Sequence, residues 1–185
     1  YMEYHADRFH DASLLFYGED TLLAVLPASK YQYNYVSHGG LTFGGLIIDK
    51  KIKISQVLDF FSALIDYLKL QNFKTLRYKT VPHIYHEVPA EEDLYALFRN
   101  NAQLVRRDVS STINLHNKLS FSGGKRNGIA KAKKNGLIIS ESKNFVKFYE
   151  MMNAILSQKY QTKATHTADE MLRLAGRFPE NIKLY

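Results

Sequence analysis

The stretch Thr75–Leu115, TLRYKTVPHIYHEVPAEEDLYALFRNNAQLVRRDVSSTINL, decides how this chain is read. It reads as strand, polar loop, helix, strand. Thr75–Thr80 has strand character, and Val81-Pro82 ends it, because proline cannot continue a ladder. Pro89 followed by Glu91, Glu92 and Asp93 opens a helix reaching about Asn101. Proline fits a first helical turn and acids complement the dipole there. Leu104–Leu115 then carries Val105, Val109 and Ile113 among polar residues, the pattern of a half-exposed strand. A strand that hands over to a polar loop beside a helix start is where open α/β sheets hold ligands.

Working towards the N-terminus, Ser55–Gln71 is the clearest helix. Val57, Leu58, Phe61, Leu64, Ile65 and Leu68 recur at 3.6-residue spacing, with Ser55 as N-cap and Asn72 at the stop. Leu14–Tyr17 and Thr21–Leu26 predict a hairpin around Gly18-Glu19-Asp20. After Pro27 comes Tyr31–Ser37, then His38-Gly39-Gly40-Leu41-Thr42-Phe43-Gly44-Gly45-Leu46. Gly39, Gly40, Gly44 and Gly45 mark either a bulge or loop between strands, or a backbone-lined ligand groove. Tyr1–His10 has no assignable pattern.

Towards the C-terminus, Ser122-Gly123-Gly124 reads as a linker. Lys125–Lys134 is a short basic helix closed by Asn135-Gly136, and Leu137–Ser140 a brief strand. Phe145–Lys159 is amphipathic. Thr167-Ala168-Asp169-Glu170 is a capping box that starts a helix to about Arg177. Ile182–Tyr185 begins a further strand.

Length and composition narrow the class. With 185 residues, 45% of them hydrophobic and 13% aromatic, the chain can bury a core and is not a disordered polymer. No apolar run is long enough to span a membrane. The absence of cysteine removes disulfides, thiolate nucleophiles and cysteine metal sites, and makes a cytoplasmic location the default expectation. Residues 116–163 hold ten Lys or Arg against Glu141 and Glu150, so the net charge of +7 resides in that segment. Such a run is either a solvated helical face or a surface for an anionic partner.

The order of elements, with YKTVPHIYHEVPAEEDLYALFRNNAQLVRRDVSSTINL and KRNGIAKAKKNGL, resembles the GNAT-superfamily acyltransferases of the FemAB-like (peptidoglycan aminoacyltransferase-like) branch. It is particularly similar to uncharacterised GNAT-family proteins of Bacteroides type, over nearly the whole chain. The resemblance implies an α/β (α+β) fold with a mixed sheet flanked by helices. It implies a first GNAT-like domain over residues 1–119, lacking its opening strand. It also implies a basic helical start of a second such domain over residues 120–185, whose remaining sheet would follow Tyr185. The activity implied is N-acyl or aminoacyl transfer to an amine by direct attack, with acyl-CoA or aminoacyl-tRNA as donor. A sheet groove would hold the donor, and backbone N–H groups would stabilise the oxyanion. GNAT enzymes hold the acyl-CoA pyrophosphate on a Gln/Arg-x-x-Gly-x-Gly/Ala loop at a helix N-terminus. Lys125-Arg126-Asn127-Gly128-Ile129-Ala130 is a near match, with Lys at the first position and no strand before it. Fem-type domains that use aminoacyl-tRNA often lack the loop.

The residues themselves supply the remaining candidates. His83 and His86 in HIYHE either serve as general base towards an attacking amine or are satisfied loop histidines. Two histidines without a third ligand do not make a metal site. Arg106 and Asp108 share a strand face, either as a surface ion pair or with Arg106 gripping a phosphate or carboxylate. Lys125, Arg126, Lys133 and Lys134, with Lys131, are the anion-binding candidates, for a nucleotide-sugar diphosphate, a tRNA backbone or another polyanion. A non-catalytic binding module acting through that basic helix is the alternative to an enzyme.

Overall fold

The computed structural model describes residues Met2–Tyr185. It divides into two compact units, one ending at Thr112 and the other spanning Ile113–Tyr185. The first is mixed α/β and the second helical.

The first unit contains β1 (His10–Asp11), β2 (Leu14–Gly18), β3 (Thr21–Leu26), β4 (Ser29–Tyr31), β5 (Asn34–Val36), β6 (Ile47–Ile48), α1 (Ile54–Leu70), β7 (Thr75–Arg77) and α2 (Glu92–Arg99). The strands form a four-stranded sheet in the order β1-β4-β5-β7 and a three-stranded sheet in the order β2-β3-β6. The expected hairpin is present: Gly18 pairs with Thr21, and Glu19 takes the left-handed φ of +52° that tightens the turn. Tyr31–Ser37 is not one strand. Gln32, also at φ +52°, folds it back so that Tyr31 pairs with Asn34. β5 and β7 are parallel, with Tyr35 opposite Leu76, and α1 lies in the connection between them.

Helix α1 builds the core. Val57, Phe60, Phe61, Leu64 and Leu68 are buried, and each contributes about 1.5–3 kcal/mol relative to exposure. Leu64 and Leu68 join Leu26 of β3, Tyr35 of β5 and Ala28 between β3 and β4, whereas Val57 and Phe61 meet Ala96 of α2. Tyr35 is fully buried, and its hydroxyl donates to Ala12 O at 2.7 Å. Burial pushes that phenol's pKa upward. The helix begins earlier than Ser55 implied: Lys53 is the N-cap, and Gln56 Oε1 accepts its N–H at 3.0 Å. Asn72 sits at φ +60°, in the left-handed conformation expected at a helix stop.

Three other expectations for this unit are corrected. β7 ends at Arg77 rather than Thr80, because Tyr78 and Lys79 turn towards other partners. Helix α2 starts at Glu92, three residues after Pro89, with Glu91 as N-cap. Leu104–Leu115 is exposed throughout and enters no ladder, since no neighbouring strand satisfies its backbone.

The second unit holds α3 (Gly123–Lys134), α4 (Phe145–Tyr160) and α5 (Ala168–Arg177). Ser122-Gly123-Gly124 is not a linker: Ser122 caps α3, and both glycines lie in its first turn. Gly136, at φ +69°, closes the helix as the Asn-Gly pair predicts. The capping box of α5 is formed, Thr167 Oγ1 accepting from Glu170 N–H and Glu170 Oε2 from Thr167 N–H. Helices α4 and α5 pack together, with Phe145 and Tyr149 buried. Leu137–Ser140 forms no strand, and its apolar residues stay exposed. The expected strand at Ile182–Tyr185 is reduced to one bridge, where Ser142 N–H donates to Leu184 O at 2.9 Å.

Candidate functional site

The carboxyl ends of the parallel strands β5 and β7 run on into Ser37-His38 and Tyr78-Lys79. These four residues converge on the loop His38–Leu46. Ser37 N–H donates to Arg77 O at 2.9 Å, and Ser37 Oγ accepts Lys79 N–H at 2.7 Å. Lys79 O accepts Gly44 N–H at 3.1 Å. The Lys79 ammonium reaches across the loop and donates to His38 O at 2.9 Å and to Leu41 O. Tyr78 OH accepts Leu46 N–H at 2.6 Å and donates to the Asp93 carboxylate at 3.0 Å, joining loop, strand and α2. Burial, with the Asp93 charge beside it, raises the Tyr78 pKa.

The glycines fit tightly inside this frame. A Cβ at Gly44 would stand 2.6 Å from Ser37 O, and one at Gly45 2.9 Å from Tyr78 OH. One at Gly39 would stand 2.8 Å from the Phe9 ring and 2.9 Å from Ser29 Oγ, which accepts Gly39 N–H. At these three positions the space a side chain would need is filled by the protein's own atoms. Gly40 N–H donates to His38 Nδ1 at 3.2 Å. His38 itself is 1% exposed and sits at φ +31°. Burial would raise the pKa of the nearby Asp11 carboxyl. Hydrogen bonds from the Ser13 N–H and hydroxyl outweigh that burial and lower the Asp11 pKa.

The HIYHE segment lies next to this loop. His83–Tyr85 forms a single 3-10 turn between Pro82 and His86. The Tyr85 ring stacks on Phe43 of the loop, centroids 4.9 Å apart and 28° from parallel. Thus the structure brings the Gly39–Gly45 and His83–His86 segments together. The two histidines differ sharply. His83 is exposed. His86 directs Nε2 at Val81 O, 3.1 Å away, and a carbonyl only accepts, so Nε2 carries the proton. Neutral His86 therefore presents its lone pair on Nδ1, which is buried and has no hydrogen-bond partner among the described residues. A backbone carbonyl that fixes the tautomer and leaves the other nitrogen basic is the arrangement a general base needs. Glu92 Oε2 is also buried and unpartnered.

The remaining sequence candidates lie elsewhere. Arg106 spends its fork on Asp108, Nε to Oδ1 at 2.9 Å and an Nη to Oδ2 at 2.8 Å, both residues well exposed. Lys125, Arg126, Lys131, Lys133 and Lys134 of α3 are exposed, and none is in an ion pair among the described residues. A Cβ at Gly123, Gly124 or Gly128 would meet nothing within 4 Å, so that end of the helix is open. A shallow depression lined by Leu58, Ser62, Ile65, Asp66, Lys69, Arg99 and Asn100 includes no residue of the glycine loop or of HIYHE. Sequence reading missed His38, Tyr78, Lys79 and Asp93. Only the position of Tyr78-Lys79 just beyond a strand could have signalled them.

The Lys79 clasp yields a direct test. Replacing Lys79 by Met removes two donors to loop carbonyls, and about 1.5–3 kcal/mol of stability should be lost. Backbone amides of Leu41 and Gly44 should exchange faster by NMR. Burial and the nearby Arg77 charge lower the Lys79 pKa below 10.5. Between that lowered value and 10.5 the unfolded chain holds more protons than the folded one. This group's contribution to stability therefore rises with pH across that window, and Lys79→Met should abolish the rise. Unchanged amide exchange in the variant would exclude the clasp.

No family model, no curated protein and no solved structure matches the chain.

Proposed function

We propose that the chain takes part in transferring an acyl or aminoacyl group to an amine acceptor on a GNAT-like, FemAB-like sheet, and that His86 Nδ1 takes up the acceptor's proton. The observation that carries the reading is the His86 tautomer, set by Val81 O with Nδ1 left unpartnered. The reaction needs little more from a side chain: the amine attacks the donor carbonyl, the base removes one proton, and the thiol or hydroxyl of the donor leaves. The parallel pair β5/β7, whose carboxyl ends lead into this region, supports placing the reaction there. The second unit, taken by itself, offers the exposed cations of α3 to a phosphate-bearing ligand.

The second reading, a non-catalytic module for a polyanion, is favoured by one observation: the basic side chains of α3 are exposed and unpaired. Thermal unfolding with acyl-CoAs, aminoacyl-tRNA and nucleotide-linked peptidoglycan precursors separates the two. A ligand at a hundred times its Kd stabilises by about 2.7 kcal/mol. For a chain of this length that raises Tm by about 5–10 °C. A shift with an acyl donor, followed by release of its acyl group to an added amine, is the expected result. A shift with any polyanion that vanishes at high salt, without turnover, would replace it with the second reading.

A further inference from the structure

We infer that two copies of this chain associate by strand exchange, the extended segment Leu104–Thr112 of each adding to the open edge of β7 in the other. Three observations meet here. The first is the edge. β7 lies at the end of its sheet and pairs only with β5. Thr75 N–H and Arg77 O are used towards β5, by Tyr33 O and Ser37 N–H. The pleat therefore turns the N–H and C=O of Leu76 away from it, to the free side. An exposed strand edge is a template for another chain, and natural proteins cover or charge it.

The second observation is the strand that has no sheet. Residues 104–112 alternate imperfectly: Val105 and Val109 fall on one side with Arg107 and Ser111, and Leu104, Arg106, Asp108, Ser110 and Thr112 on the other. The Arg106–Asp108 chelate, at 2.9 and 2.8 Å, joins side chains two residues apart, as an extended backbone places them. Yet Val105 is 80% and Val109 94% exposed. Arg106 and Asp108 satisfy each other on one side, and on the other Val105 and Val109 are bare.

The third is the size of the bare surface. Helix α2 just before the segment leaves Leu94, Tyr95 and Phe98 exposed, Phe98 at 74%, and Leu104 follows at 72%. Val105 and Val109 add two more bare apolar side chains on the segment itself. Apolar exposure of that extent along one stretch marks an interaction surface. A second copy fits it because the same chain carries both halves, the unpaired edge and the unpaired strand. A reciprocal arrangement pairs the Leu76 edge of each copy with the segment of the other and closes on itself.

The test is light scattering on the whole chain across a concentration series. The expected result is a concentration-dependent species of twice the 21.3 kDa chain mass. Val109→Pro fixes the backbone and removes an N–H in the middle of the segment, and Phe98→Asp charges the apolar surface. Each should weaken association at least tenfold. Both residues are exposed, so circular dichroism and Tm of the diluted monomer should be unchanged. Dimer formation should also protect the Leu76 amide from hydrogen exchange. A wild-type chain that stays monomeric at millimolar concentration would overturn the inference. So would a dimer that Val109→Pro and Phe98→Asp leave intact, or protection of Leu76 in the monomer, which would mean pairing within one chain.

Discussion

Replacing His86 by glutamine is expected to lower the rate of acyl or aminoacyl transfer about 10²–10⁴-fold, the usual contribution of a positioned base. Glutamine can place an amide N–H where His86 Nε2 donates to Val81 O, so the loop keeps that anchor. What it cannot supply is the basic nitrogen at Nδ1. The variant therefore separates chemistry from folding: Tm should move by no more than a degree or two while turnover falls. Transfer is read as free thiol released from an acyl-CoA, or as aminoacyl ester lost from tRNA, in the presence of an amine. His83→Gln is the matched control, since His83 is exposed and should leave the rate unchanged. A His86→Gln protein that turns over within threefold of the parent would remove His86 from the reaction. Because Nδ1 is buried, the acceptor must displace part of what covers it. The neighbouring Phe43–Tyr85 stack is a contact that could open, and Phe43→Leu tests it through KM rather than through the chemical step.

What could be read from the sequence follows the range of the interactions involved. The β2–β3 hairpin, α1, the α3 stop at Gly136 and the α5 capping box all rest on signals within a few residues. All are present close to where the sequence placed them. The parallel pairing of Asn34 with Thr75 joins residues 41 apart, and nothing local encodes it. The same distance hides the site. Lys79 looks like one more strand-end cation until the fold brings His38 O and Leu41 O to it, 41 and 38 residues away. Tyr78 is likewise ordinary until Leu46 N–H and Asp93 arrive at its hydroxyl. His86 could be nominated from HIYHE, but not preferred over His83, because the preference comes from the carbonyl of Val81 and from burial. Leu104–Leu115 shows the opposite failure. Its imperfect alternation reads as a strand, and among the described residues the structure provides no ladder for it to join. The pattern encodes a capacity for pairing, and a second surface has to meet it.

The largest stability effect is expected at Phe61. It is 2% exposed on the face of α1 that meets Val57 and Ala96, and its ring lies 5.6 Å from that of Tyr78. Phe61→Ala should cost about 3–5 kcal/mol, combining lost transfer energy with an incompletely collapsed cavity. Urea unfolding of the first unit should show the midpoint fall with little change in slope. The choice of Phe61 over the equally large Phe60 matters. Phe60 packs on Phe16, ring centroids 5.2 Å apart, and so ties α1 to the hairpin. Phe61 braces the tyrosine whose hydroxyl holds Leu46 N–H and Asp93. If that brace positions the hydroxyl, Phe61→Ala and Tyr78→Phe will not add, since the second change removes hydrogen bonds the first has already loosened. A coupling energy of about 0.5–3 kcal/mol in the double-mutant cycle is the expected outcome. Strict additivity would mean that Phe61 only fills volume, and that Tyr78 is held by Asp93 and Leu46 alone. In that case the glycine loop would be insensitive to the core beneath it. With coupling, a core substitution on α1 reaches the glycine loop through Tyr78 and Leu46, and the HIYHE segment through the Phe43–Tyr85 stack, and Phe61→Ala should impair transfer at temperatures where the chain is still folded.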